Sequence, residues 1–352
     1  MTMMKPDRSM RRTGTPTALR ERIIRMIFSP YSTAPDTKRI AKGLTRIGSI
    51  VLLLSLHCAW AYETDQFNNR LEPIEDSTDL LNGRVNLAIE EAIADWKGPR
   101  NDMRVVDNIY HNIGGLHWVD KLERWAMKSP DVERLSTPRK ESIYSGHPFW
   151  ATRVAGLFGV GPTIKVNGVL IGSDKLGHFL SQGRKFYRRY LRYEDESRAA
   201  EQSAYTERAI FGQMTTGSYS NADLVANYEG HRFYRSLFED QVITDKSAIL
   251  KWTGAGWSIQ RPFDFADHVN PYWDEALNIN HYDKLLYEPM RERLTSFCGD
   301  YSSNPEMYQL SNEEVYKAQY RHLQLRETSE LRLPELCKAE VEVNVPSAGI
   351  GQ

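Results

Sequence analysis

Asp174 and His178 stand four residues apart, so a helix through them places both on one face, and Gln182 continues that face one turn later. Asp223, Asn227 and His231 repeat the pattern some fifty residues on, with Arg235 one further turn along. Lys175 and Glu229 lie beside the two stripes, and Glu207 and Arg208 fall on the segment between them. Two helical stripes rich in Asp, His and Asn can face each other across a bundle core, which is how helical bundles build metal and ligand sites.

Three chemistries fit these residue types. One is a divalent metal site with His and Asp ligands, for which i, i+4 pairs suit zinc or a harder ion. The chain has no His-Glu-x-x-His, so such a site would not be the familiar zinc-protease helix. Another is an acid–base or anion-binding site. His178 or His231 would carry the proton, Asp174 or Asp223 would orient it, and Lys175 and Arg235 would hold a phosphate or carboxylate. The third is a buried polar network that only orients helices. The anion-binding arrangement, serving an anionic or phosphorylated ligand of the cell envelope, is the leading expectation. A metal-dependent hydrolase using the same residues is its rival. No Gly-x-Ser-x-Gly, P-loop or dinucleotide fingerprint occurs.

The elements that must position these residues are mostly helices. Leu81, Val85, Ala88, Ala92 and Trp96 share a helical face after a cap at Ser77 or Thr78, and Gly98-Pro99 stops that helix. Further helices are predicted at about 102–113 and 118–127. Asn167-Gly168 between β-branched residues predicts a hairpin over 163–172. Ser173 is then placed to cap a long helix over 174–193. Helices follow at about 198–213 and 222–238, with 215–218 a loop between them. A second hairpin is expected at 249–260, then helices at about 283–297 and 312–327. The fold class is therefore mostly α, a bundle-like domain over residues 62–344 with one or two small β-hairpins, and residues 345–352 form a mobile tail. Helices 174–193 and 222–238 are separated by one helix and short loops, so they should run parallel. Parallel packing brings Asp174 level with Asp223 and His178 level with Asn227, with both helix N-termini directed at one pocket.

The run Asp174-Lys175-Leu176-Gly177-His178-Phe179, followed by Asp223-Leu224-Val225-Ala226-Asn227 and Gly230, resembles the paired signature of VanZ-like envelope proteins. Related small lipoprotein and domain-of-unknown-function families share it. The likeness covers about sixty residues; the rest of the chain looks like secreted proteobacterial proteins. It implies an envelope setting but not the membrane-embedded helix of VanZ-like proteins. Arg184, Lys185, Arg188, Arg189 and Arg192 follow the first motif and bar that helix from crossing a bilayer.

Charge and cysteines agree with an exported protein. Residues 1–46 hold eleven Lys/Arg and three acids, +8, leaving −9 on the remainder of a 352-residue chain of net charge −1. So acidic a remainder excludes a general nucleic-acid binder. Ile47 to Leu56 is an apolar run too short to span comfortably, and Ala59-Trp60-Ala61 supplies a small-x-small site. Residues 1–61 are thus expected to be a basic extension plus signal peptide, with Met26 an alternative start and cleavage after Ala61. The rival is an uncleaved anchor through residues 47–61. The expected place is periplasmic or secreted, with no transmembrane span in the mature chain. An anionic envelope lipid or cell-wall molecule is the expected partner. Cys298 and Cys337 remain after cleavage and either form one disulfide or stay as two thiols.

Overall fold

The computed structural model describes residues 63–115, 119–147, 159–211 and 213–344. The expected export segment, Trp118 and the C-terminal tail lie outside them. The fold is mostly α, with four two-stranded pairs among the described residues. Among the described residues no helix is long and apolar enough to cross a membrane.

Helix α1 (Thr78–Ile93) buries Leu81, Val85, Ala88, Ile89 and Ala92, the stripe that its sequence spacing sets, and α2 (Asp102–Ile113) packs on it through Val105, Val106, Ile109 and Ile113. The start of α1 corrects one expectation. Ser77 makes no side-chain cap; Asp76 instead accepts from the Thr78 N–H and hydroxyl. Helix α3 (Lys121–Lys128) follows, shorter than its sequence suggested. The Asn167-Gly168 hairpin forms as expected, with β3 (Thr163–Val166) antiparallel to β4 (Val169–Gly172) and φ of 51° and 75° at the two turn residues. Before it, β1 (Glu63–Thr64) pairs in parallel with β2 (Val160–Gly161).

Helix α4 covers residues 174–193 in three continuous segments: α over Asp174–Gly177, π over His178–Gln182 and α over Gly183–Tyr193. Ser173 does not cap it, and its buried hydroxyl has no partner. Helix α5 covers 196–211 and also ends in a π segment, Glu207–Phe211. The short helix α6 (Gln213–Thr216) takes up part of the expected 215–218 loop, and β5 (Ser218–Tyr219) leads into α7 (Asn221–Ser236).

Helices α4 and α7 are the axis of the main core. They run parallel: His178 meets Asn227, and Tyr187 stacks on Tyr234 farther along. Their backbones touch at Gly183 and Gly230, where a Cβ on Gly183 would lie 2.6 Å from the Gly230 Cα and one on Gly230 would overlap the Phe179 carbonyl. Phe179, Phe233, Phe263, Phe265 and Trp273 close the core around this crossing.

The chain continues through the second hairpin, β6 (Leu250–Trp252) with β7 (Trp257–Ile259), and β8 (His281–Tyr282), which pairs with β5. Helices α8 (Lys284–Thr295), α9 (Cys298–Ser303) and α11 (Leu333–Asn344) build a smaller core with Phe67, Tyr144 and Tyr308, closed by a Cys298–Cys337 disulfide. Helix α10 (Glu313–Tyr320) stops seven residues before the expected end at Glu327, and Leu323 then packs into the main core from irregular chain.

Candidate functional site

The N-terminal turns of α4 and α7 meet in a buried cluster. Lys175 is its hub. The side chain is fully buried, and Nζ lies 2.8 Å from Asp174 Oδ2, 2.7 Å from Asp223 Oδ1 and 2.8 Å from Glu275 Oε1. Ser220 caps α7 by accepting from the Asp223 N–H, and its hydroxyl donates to Glu275 at 2.9 Å. His178 bridges the two helices. Its Nδ1 is 3.0 Å from Asn227 Oδ1, and its Nε2 is 3.2 Å from Asp223 Oδ2. The Asn227 amide nitrogen is turned toward Ser203 Oγ, which leaves Oδ1 to accept the His178 Nδ1–H. Asp174, His178 and Asp223 each offer a ligand atom, and the three atoms lie within 4.8 Å of one another.

More acids surround this centre. Glu207, at the start of the α5 π segment, accepts from the Ser220 N–H, and Glu63 in β1 accepts from the Tyr144 hydroxyl at 3.0 Å. From α3, Glu123 comes against Gly177, where a Cβ would stand 2.5 Å from its carboxylate, so a side chain there would push the two helices apart. Asp120 at the head of α3 accepts from Ser181 at 2.7 and 2.8 Å. Burial dominates the protonation of these groups. It pushes Glu63 up to about 8, helped by the Glu275 and Asp223 charges, and Asp120 up to about 7. It raises Glu207 and Glu123 well above the carboxylate range, with the nearby Asp223 adding to the first and Asp174 to the second. Asp174 rises to about 6, because burial outweighs the Lys175 charge beside it. Asp223 goes the other way: burial opposes ionisation, but His178 and Lys175 together hold its carboxyl below the usual range. The three carboxylates around Lys175 hold that ammonium charged against the pull of burial.

The sequence stripes divide at this point. Asp174, Lys175, His178, Asp223 and Asn227 come together as expected. Gln182 is half-buried at the end of the π segment and makes none of these contacts. His231 is a correction: it stacks on Phe186 at 4.8 Å and bonds Glu196 at 3.1 Å. So is Arg235, which lies over Tyr190 and pairs with Glu239 and Glu196. Both are engaged beyond the Gly183–Gly230 crossing. Glu229 belongs to a separate buried network with Arg232, His268 and Tyr320. Arg208 is exposed, while Glu207 does join the centre. Glu63, Asp120, Glu123 and Glu275 were not anticipated. Each sits in a loop, short strand or short helix without periodic neighbours, so only the Asp120/Glu123 pair on one predicted helix carried any local signal.

Comparison with family models, curated proteins and solved structures returns no match to this chain. What the site can do follows from its own geometry. Buried carboxylates outnumber its cations, and a single lysine is already shared among three of them. Two polar atoms beside it, Asp174 Oδ1 and Ser173 Oγ, are buried without a partner. Such an arrangement attracts protons or a cation and repels an anion.

Proposed function

We propose that Asp174, His178 and Asp223 hold a divalent cation, and that the protein is a cation-dependent hydrolase of the cell envelope. One observation carries this reading. With its Nδ1–H given to Asn227, His178 presents Nε2 to a carboxylate oxygen 3.2 Å away. A neutral Nε2 lone pair facing Asp223 is repulsive unless a proton or a cation lies between them. Metal-bound histidines are oriented in the same way, with the far ring nitrogen donating to a carbonyl or carboxylate. The unpartnered Asp174 Oδ1 supplies further donor capacity.

Three protein ligands would leave positions for water, and a bound cation makes that water a stronger acid at neutral pH. Glu207, whose carboxyl burial and the Asp223 charge push well above the usual carboxylate range, would serve as a proton donor. The expected anionic or phosphorylated envelope ligand is then reached through the cation, since direct contact would set it against the carboxylates. The envelope setting rests on the apolar run at 47–56, the Ala59-Trp60-Ala61 site and the Cys298–Cys337 bridge, which suits an oxidising compartment.

Equilibrium dialysis of the apo-protein against zinc or manganese tests this. One ion per chain, lost in both His178→Ala and Asp223→Asn, is the expected result. No saturable binding would count against it. A second reading has its own observation: Lys175 already neutralises three carboxylates. On that reading the cluster only fixes the α4–α7 register, and Asp174→Asn would alter the melting temperature with no change in metal content.

A further inference from the structure

A second concave region faces outward from the start of α7. Lys317, Arg321, Arg326 and Arg332 line it together with Tyr272, Asn278 and one acid, Glu327, around a cavity of about 190 Å³. Four cations converge here on a chain that carries −9 beyond residue 46.

Their acids cover them unevenly. Glu313 reaches Lys317 at 3.0 Å and Arg332 at 2.6 Å, and Glu327 is 4.0 Å from Arg332. Among the described residues, neither Arg321 nor Arg326 has a carboxylate within ion-pair distance. Arg326 instead lies over the Tyr219 ring at 4.3 Å, and burial together with the nearby Arg208 charge disfavours its own charge. The Arg332 Nε–H is buried and has no acceptor. The walls are fixed. Asn221 accepts from the Arg326 N–H at 2.9 Å and donates to its carbonyl at 2.8 Å, which ties this segment to the N-terminus of α7. Tyr272 and Tyr320 are buried and packed 5.7 Å apart. Two guanidinium groups without a carboxylate partner, Arg321 and Arg326, beside the unsatisfied Arg332 Nε–H in a fixed cleft, are matched by the oxygens of a small dianion.

We propose that this cleft binds a phosphomonoester group, at a site separate from the Asp174–His178–Asp223 centre. The proposal does not depend on a metal at that centre.

Calorimetric titration of the full chain with phenyl phosphate, at fixed ionic strength, tests it. One saturable site is expected. Affinity should fall at least about tenfold in Arg321→Gln/Arg326→Gln, since a lost charge-assisted contact is worth a factor of that order. No saturable binding, or equal affinity in the double variant, overturns the proposal. Should the double variant fail to fold, Arg321→Gln alone serves, because Arg321 is exposed and makes no ion pair among the described residues. A severalfold loss supports the site, and an unchanged affinity overturns it. Vesicles of phosphatidylcholine with phosphatidic acid identify the source of the phosphate. Arginine-dependent co-sedimentation assigns a lipid headgroup; titration without co-sedimentation assigns a soluble ester.

Discussion

His178 and Asp223 approach to 3.2 Å although they sit on different helices, because the parallel α4 and α7 cross backbone to backbone at Gly183 and Gly230. The contact between these two side chains is thus set by two residues that have none. The first turns of both helices lie on the same side of the crossing, so any change there moves the site.

Gly230→Ala should therefore disturb the site as well as the fold. The added methyl would overlap the Phe179 carbonyl, and overpacking of this kind costs about 3 kcal/mol at a rigid contact. Denaturant unfolding reads the loss, and the His178 ring resonances in NMR should shift with it. A stability within error of the parent would mean that the two helices are not locked at this point.

Lys175→Met removes the cation shared by Asp174, Asp223 and Glu275 and leaves buried carboxylates uncompensated, at a cost of about 3–5 kcal/mol. A divalent ion can replace the ammonium charge. Added manganese or zinc should thus raise the melting temperature of this variant more than that of the parent. Equal shifts in both would favour the purely structural reading of the cluster.

Stability of the metal-free protein should decline from weakly acid to weakly alkaline pH. Glu63 rises from 4.5 to about 8 on folding and Asp120 from 3.8 to about 7, so the folded chain binds more protons than the unfolded one between those limits. Their contribution is complete below the unfolded values and lost as pH climbs through the folded ones. Asp223 and Glu229, held below their usual range, act oppositely and lose their contribution as pH falls through the acid range. The expected optimum is near pH 5, falling toward pH 8, with a divalent ion flattening the alkaline limb. Melting curves across pH, with and without manganese, check it; rising stability up to pH 8 without metal would contradict it.

The legible parts of the molecule are those in which local chemistry and tertiary packing agree. Asn167-Gly168 can only turn one way, and the pairs Asp174/His178 and Asp223/Asn227 keep their helical face within a single turn of a helix start. The longer stripes failed for a physical reason. The π segment over His178–Gln182 adds a residue to the turn and takes Gln182 off the face begun by Asp174. Beyond the glycine crossing, His231 and Arg235 face α5 and bond Glu196. Glu63 and Glu275 reach the cluster from a two-residue strand and a loop, where no periodicity marks a buried face. Helix α11 had no strong stripe of its own; the Cys298–Cys337 bridge and Leu333 and Leu336 dock it on the smaller core.

That bridge closes a segment with a sequence separation of 39, so its removal in Cys298→Ser/Cys337→Ser should lower stability by about 3–4 kcal/mol. Hydrogen exchange should locate the loss around α8, α9 and α11 and leave the α4–α7 crossing protected. Uniform loss of protection would indicate that the two cores unfold as one.

The most direct test of the cation centre is anomalous diffraction from crystals of the protein grown or soaked with manganese or zinc. The account predicts one strong peak about 2.0–2.2 Å from a carboxylate oxygen of Asp174, His178 Nε2 and a carboxylate oxygen of Asp223, with Lys175 Nζ drawn back from at least one of its three partners. An empty cluster in which Lys175 keeps all three carboxylates, in crystals that take up the metal elsewhere, would contradict it.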